Sequence, residues 1–418
     1  MAGEKKRLLE NFLSLGALQI VSYTVPLINL PYLSRVLGVE KFGLVFFAFA
    51  FMQYFIILTD YGFGLSATRE IAVNRHNQNN LSNIFNSINT LKCILLSISF
   101  IILLILIMFV PKLHENWLVF LLSFFMVIGN AIYPVWFFQG MERMKYITFL
   151  NILSKVIFVG LIFIFVKQES DYIIVPLFNS LGFIVSGLIG FIFAVKNFNL
   201  KLYIPSRKSI LKQFKYSTEF FISRVSVSAF NNTNSFCLGL ISSNIMVGYY
   251  VAAEKIYFAM SGLQGPINQA LYPFIAKHKN ITLFKKIYWI VVGINTLICA
   301  FMFIFAKDFI VLFYGADMVH AYKILRIFCF GTLIAVPHIL LGYPLLGGMG
   351  YTKQVNASVI IASVIHICGL GILYFSNHMN IYSIAIMATC TEYIVFAMRV
   401  YWVNKYNLFS SGANIGKE

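Results

Sequence analysis

The sequence predicts an all-α polytopic membrane protein, with twelve transmembrane helices in two six-helix lobes, a parallel repeat, around a central cavity. Three observations carry that prediction. Of 418 residues, 59% are hydrophobic and only 11% are charged. A soluble domain carries roughly 25% charged residues, so this chain could not cover a water-facing surface. Apolar runs of bilayer-crossing length recur twelve times between polar breaks. The two halves also echo each other. Phe42-Gly43 with Ala48 returns as Val247-Gly248 with Ala253, an offset of 205, and Gly140-Met141-Glu142-Arg143-Met144-Lys145 returns as Gly348-Met349-Gly350-Tyr351-Thr352-Lys353, an offset of 208. Six spans separate the copies, so the repeats run parallel, as when two halves are related about the membrane normal.

Taken in order, the first span is expected at 12–37, behind Lys5, Lys6 and Arg7. Those cations resemble a signal-peptide start, but the run is too long for its apolar core and no small-residue cleavage site follows promptly, so a retained span is expected. Ser14, Ser22 and Asn29 share one of its faces. Further spans fall at 43–66, 83–110, 117–139, 147–166 and 172–195. Residues 196–215 then form the longest charged interruption, with Lys196, Lys201, Arg207, Lys208, Lys212 and Lys215 and no acid. This loop divides an N-terminal lobe, 1–200, from a C-terminal lobe, 201–418. The second set lies at 216–241, 246–273, 284–306, 321–346, 354–375 and 381–403. Eight of the ten prolines lie in or beside spans, among them Pro26, Pro31, Pro266, Pro273, Pro337 and Pro344. Each removes a backbone donor and bends its helix, and static kinks are expected. Tyr133-Pro134-Val135-Trp136-Phe137-Phe138, closing the fourth span, reads as an aromatic belt at the membrane interface.

Charge sets the orientation. The N-terminus, the alternate loops and the C-terminal tail hold twenty Lys and Arg; the opposite loops hold four, Lys41, Lys112, Lys167 and Lys307, with six of the fifteen acids. Both termini are therefore expected in the cytoplasm. The net charge of +17 follows from that asymmetry and does not imply nucleic acid. The opposite loops are short, which leaves little room for an external catalytic module. Six cysteines lie in apolar runs without a CxxC pair, and no HExxH, Walker A, GxSxG or dinucleotide motif occurs. No metal, cofactor or disulfide is expected, and no enzyme.

Eight cations remain inside the spans. Arg35, Lys323, Arg326 and Arg399 lie near span ends and are expected to snorkel. Lys92, Lys155, Arg224 and Lys255 lie deeper, where a cation costs about 2.5–3.5 kcal/mol on insertion scales. They are expected to face water and an anionic solute, as substrate-binding residues. The intramembrane acids are Asp60, Glu219, Glu254 and Glu392. Asp60 and Glu254 are the candidates for ion coupling, and an ion pair across helices is an alternative for Glu219 and Glu392. On the eighth span Tyr250, Glu254, Tyr257, Ser261, Gln264 and Asn268 recur at helical steps and so share a face. The tyrosines, Gln264 and Asn268 join the substrate-binding set. Ser217, Arg224, Ser228, Asn231 and Ser235 nearly repeat that stripe on the seventh span.

Leu30-Pro31-Tyr32-Leu33-Ser34-Arg35-Val36-Leu37-Gly38-Val39-Glu40-Lys41-Phe42-Gly43 resembles the opening signature of the polysaccharide transporter family. Asp60-Tyr61-Gly62-Phe63-Gly64 through Ala67-Thr68-Arg69-Glu70, and Trp136-Phe137-Phe138-Gln139-Gly140, look like further landmarks of it. The family belongs to the multidrug/oligosaccharidyl-lipid/polysaccharide exporter superfamily, and within it the chain is most similar to O-antigen (Wzx-type) flippases. The resemblance covers essentially the whole chain and is most specific over 23–72. It implies a bacterial inner-membrane carrier that moves an undecaprenyl-diphosphate-linked oligosaccharide between leaflets, coupled to protons. Its partners would be membrane lipid, the O-antigen polymerase and the chain-length regulator. Asp60 and Arg69 lie in landmark segments, and Arg69 is the candidate cytoplasmic gate. Two competitors stand beside this reading, a cation-coupled multidrug exporter of the same fold and an O-antigen polymerase. The absence of an acid in the first span disfavours the exporter, and the absence of a large external loop disfavours the polymerase.

Overall fold

The computed structural model describes the backbone of residues 2–409, and the side chains of that range except at 2–15, 17, 18, 20, 23 and 222–232. Every regular element among the described residues is helical. In lipid a helix satisfies its own backbone donors and acceptors, which an open strand cannot do. Nine stretches among the described residues are long and apolar enough to cross a membrane. One of them, Thr24–Val73, runs through two of the expected spans. By internal packing the chain divides into two compact units, Met1–Ser228 and Ala229–Glu418.

In the first unit α1 (Ala2–Asp60) is interrupted at Gly38, whose φ of 67° and ψ of 172° lie in a region essentially reserved for glycine. Its apolar run therefore breaks where one expected span ends. Gly62, with φ 76°, starts α2 (Phe63–Val73) after Tyr61, itself at φ 41°. The expected span 43–66 is thus two helices joined by a left-handed turn. Then come α3 (Gln78–Phe109), α4 (Pro111–Glu115), α5 (Trp117–Ile132) and α6 (Val135–Gly140). Tyr133 and Pro134 separate the last two, because proline cannot donate to the helical ladder. The unit continues with α7 (Met144–Phe165) and α8 (Ile174–Asn197).

The aromatic belt expected at 133–138 is corrected. Tyr133, Trp136, Phe137 and Phe138 are buried and pack with Phe85, Leu150 and Ala194 in the core of this unit. The hydrophobic gain of burying several large rings together outweighs the interfacial preference of one Trp and one Tyr. The far side of α3 instead exposes Ile94, Ile98, Ile101, Ile105 and Met108 at helical spacing, the stripe expected of a lipid-facing surface.

The helix α9 (Arg207–Ile241) leads into α10 (Asn244–Gly262), whose N-terminus is capped by the Ser243 side chain, and α11 (Gly265–His278). After α12 (Ile281–Ile304) and α13 (Ala306–Tyr314), α14 (Ala321–Leu340) runs into a π-helical stretch, Leu341–Gly347. That stretch bends at Gly342, whose ψ is −115°, and Pro344 removes a further donor there. The chain ends with α15 (Thr352–Phe375) and α16 (Ile381–Lys405). Leu271, Phe284, Tyr288, Leu340, Leu345 and Val403 form a core of the second unit.

Candidate functional site

Two constellations collect the polar groups, one in each unit. In the first, α2 lies antiparallel to the start of α9, which Ser206 caps through the Ser209 N–H. Gln213 donates to Glu70, Ser66 and Ser217 hydroxyls lie 2.7 Å apart, and Gly62 abuts the backbone of Phe220 and Phe221. Each step of four on α9 thus meets a step of four on α2. A side chain at 62 would collide with that backbone, so the left-handed glycine also permits the close approach. Tyr61 lies flat between Phe214 and Phe221, at centroid distances of 4.7 and 4.4 Å. On its other side α2 is tied to α6 through Thr68 to the Trp136 carbonyl at 3.1 Å, and Arg75 in the turn after α2 donates to the Gly140 carbonyl at 2.6 Å.

Beside this seam opens a cleft of about 650 Å³, lined by Arg69, Glu70, Asn74, Lys212, Lys215, Tyr216 and Glu219 among others. Arg69 is exposed and donates from Nη1 to the Tyr216 hydroxyl at 3.3 Å. Lys212 and Lys215 are exposed too. One of the two acids, Glu70, is already engaged by Gln213.

The deep cations divide. Lys92 is 3% exposed, and its Nζ lies 4.0 Å from Asp60 Oδ1, which brings a predicted anion-binding residue to a predicted coupling residue. Lys155 is half-buried and donates to Ser22 Oγ at 2.7 Å. That bond joins α7 to the polar face foreseen on the first span. Arg224, with Ser228 and Asn231, lies outside the described side chains. Lys255 is half-buried over the Phe258 ring at 5.9 Å.

In the second unit the predicted stripe of α10 is partly kept. Glu254 is buried and accepts from Ser235 Oγ at 2.9 Å. Tyr250 is buried edge-on to Phe328, and Tyr257 stacks on the same ring. Gln264 and Asn268 do not continue that helix. A turn at Leu263 and Gln264 separates α10 from α11, because Gly265 and Pro266 start a new helix. Gln264 is buried and donates to the Ser261 carbonyl at 3.1 Å, and Asn268 is half-buried.

The expectation that Arg399 snorkels is corrected: it is 5% exposed. Its Nη1 donates to His338 Nδ1 at 3.1 Å and to the His338 carbonyl at 2.8 Å, and its Nε donates to Ser358 Oγ at 3.1 Å. His338 Nε2 meets Glu392 Oε2, and Tyr257 donates to Glu392 Oε1 at 2.6 Å. Three hydrogen bonds hold the guanidinium too firmly for the side chain to reach an interface. His366 bridges Thr391 and Asn234 at 2.8 and 2.9 Å. These are the only two of the seven histidines inside expected spans, but sequence alone assigns neither a role. The available signal was the seven-residue step between Glu392 and Arg399, which puts both on one face of α16. Arg35 and Lys323 are exposed, and Arg326 donates to the Phe303 carbonyl at 3.0 Å.

Residues 8–279 match the model of a family described as polysaccharide biosynthesis protein. The chain belongs to that family. A relative in Escherichia coli (strain K12), named provisionally as an O-antigen transporter, is 32% identical over 292 residues, 68% of this chain and 70% of that one. A Shigella dysenteriae protein with the same provisional name is 29% identical over 273 residues, 65% and 67% of the two chains. The family fold is also that of solved transporters. The lipid II flippase MurJ in an inward closed conformation superposes with a TM-score of 0.72 at 15% identity, over 95% of this chain and 89% of that one. An inward-facing multidrug resistance MATE transporter superposes with a TM-score of 0.70 at 16% identity, over 93% and 96%. The chain is thus a multi-pass membrane protein of this family, and the relatives that it matches are named as transporters.

Proposed function

We propose that this carrier moves undecaprenyl-diphosphate-linked O-antigen repeat units from the cytoplasmic to the periplasmic leaflet of the bacterial inner membrane, by alternating access coupled to protons. The cleft carries the reading. Arg69, Lys212 and Lys215 converge there beside the Tyr216 hydroxyl, and the same segment holds the excess of Lys and Arg that marks a cytoplasmic loop. Arginine and lysine suit a diphosphate, the first through its planar fork and the second as a point charge. Tyr216 offers a ring and a hydroxyl to the first sugar. Lys155, half-buried in the same unit, would also receive the headgroup, and the polyprenyl tail would stay among lipid acyl chains. The provisional names of the two relatives support the cargo.

The test is complementation of a strain that makes the repeat unit but lacks its flippase. The wild-type chain should restore O-antigen display. The triple change Arg69→Gln, Lys212→Gln, Lys215→Gln should cut display at least about tenfold while membrane insertion is unchanged. Full display from the triple variant refutes the cleft as the docking place. Absence of display from the wild type, together with resistance to cationic dyes, refutes the cargo in favour of drug export. A deletion strain that still made single-repeat capped lipid A would point to a polymerase.

A further inference from the structure

We propose that the buried cluster of Arg399, His338, Glu392 and Tyr257 is a proton-binding latch that holds the bend of α14 at Gly342. The proposal rests on the proton coupling advanced above and names the group that takes the proton.

The hydrogen bonds fix the resting protonation state. Arginine has no acceptor, so His338 Nδ1, which faces Arg399 Nη1 at 3.1 Å, must present a lone pair. The ring hydrogen then sits on Nε2 and is donated to Glu392 Oε2. Tyr257 gives its hydrogen to the other carboxylate oxygen at 2.6 Å. The cluster therefore holds one guanidinium, one carboxylate and a neutral imidazole. All three residues are buried, and within the cluster each side of the imidazole is occupied.

An incoming proton finds no vacant lone pair on that ring. If it lands on His338 Nδ1, the new N–H points at the N–H of Arg399, and imidazolium stands against guanidinium. If it lands on Glu392 Oε1, the Tyr257 hydroxyl can turn to accept the new O–H while Oε2 still accepts from Nε2–H, and the bonds to Arg399 survive. Protonation of the imidazole is therefore the event that makes Arg399 Nη1 withdraw. The same nitrogen also donates to the His338 carbonyl at 2.8 Å, so both bonds to α14 are lost together. The other titratable groups around the cluster lie on three elements. Glu254, with Tyr250, lies on α10, His366 on α15 and Tyr343 on the π-helical stretch.

What withdrawal would free is legible in the backbone. Four residues after His338 the helix bends at Gly342 and takes π geometry to Gly347. A Cβ on residue 342 would sit 2.6 Å from Arg399 Nη1, so the guanidinium fills the space that the missing side chain leaves. Arg399 is thus the strut inside the bend, and His338 is its only ring contact on α14 among the described bonds.

Hydrogen–deuterium exchange of the full-length protein in lipid nanodiscs, read on peptides covering residues 337–349 and corrected for intrinsic exchange, tests this. Opening linked to uptake of one proton grows up to about tenfold per unit of pH, so protection should fall at least about tenfold between about pH 8 and about pH 6. His338→Gln, which keeps an acceptor and a donor but cannot become a cation, should flatten that response. Arg399→Gln should leave the segment poorly protected at both values. An unchanged wild-type profile overturns the latch, and so does a pH response that survives in His338→Gln. Should His338→Gln not fold, the wild-type profile with Arg399→Gln decides. Exchange is read without cargo. A wild type with the expected exchange but no O-antigen display would refute the function alone, whereas display without pH-dependent exchange would refute the latch alone.

Discussion

Separating the two partners of the Asp60–Lys92 pair should give unequal losses of stability. Their charged atoms lie 4.0 Å apart, which at an effective dielectric of about 20 is worth about 4 kcal/mol of attraction. The surroundings differ, however: the Lys92 side chain is 4% exposed and that of Asp60 is 24% exposed. Asp60→Asn strands an ammonium where water does not reach. Breaking a buried pair this way costs about 3–5 kcal/mol, and the partial hydration of Asp60 puts the expected loss near 3 kcal/mol. Lys92→Met keeps the length and apolar stem of the side chain and leaves a carboxylate that water can still solvate, so a change within about 1 kcal/mol is expected. Adding Lys92→Met to Asp60→Asn should recover most of the loss. Denaturant unfolding in mixed micelles, followed by intrinsic fluorescence, ranks the three variants. Equal losses from the single changes, or no recovery in the double variant, would refute the argument from unequal burial.

Two further outcomes follow from backbone and ring geometry. Gly38→Ala and Gly38→Leu should each cost about 1–3 kcal/mol, because the penalty is the dihedral region itself. No atom lies within 4 Å of the added Cβ, so a much larger loss for leucine in the same unfolding assay would contradict this account. Tyr61→Ala should cost about 3–5 kcal/mol by emptying the space between Phe214 and Phe221. Tyr61→Phe forfeits only the 3.3 Å contact with Thr218 and should stay within about 1 kcal/mol, and limited proteolysis of the α2–α9 seam should rank the two alike.

Most helix positions were legible because oily runs of bilayer length leave the chain few options. The expected stretches fall largely on helical residues, and nine stretches among the described residues are long and apolar enough to cross a membrane. The breaks were unevenly legible. The break at Gly38 was foreseen, since Glu40 and Lys41 follow it and an expected span ends at 37, whereas the left-handed turn at Tyr61 and Gly62 falls inside an expected span. The aromatic run at 133–138 was misjudged because composition does not tell a lipid-facing ring from one facing its own core. The polar networks were the hardest to foresee. Helical periodicity put Tyr250, Glu254 and Tyr257 on one face, but pairing is a property of neighbouring helices. Hence the partnership of Lys92 with Asp60, and of Arg399 with His338 and Glu392, follows from helix packing that periodicity does not encode. Arg399, one of four cations expected to snorkel, is instead buried and held by three hydrogen bonds.

The flat stack of Tyr61 between two phenylalanines has one more consequence. A phenol ring clasped on both faces cannot turn over about its own axis until the neighbours part by more than the thickness of an aromatic edge. Its two sides should therefore interchange slowly, and the rate of that interchange would act as a clock for breathing between α2 and α9.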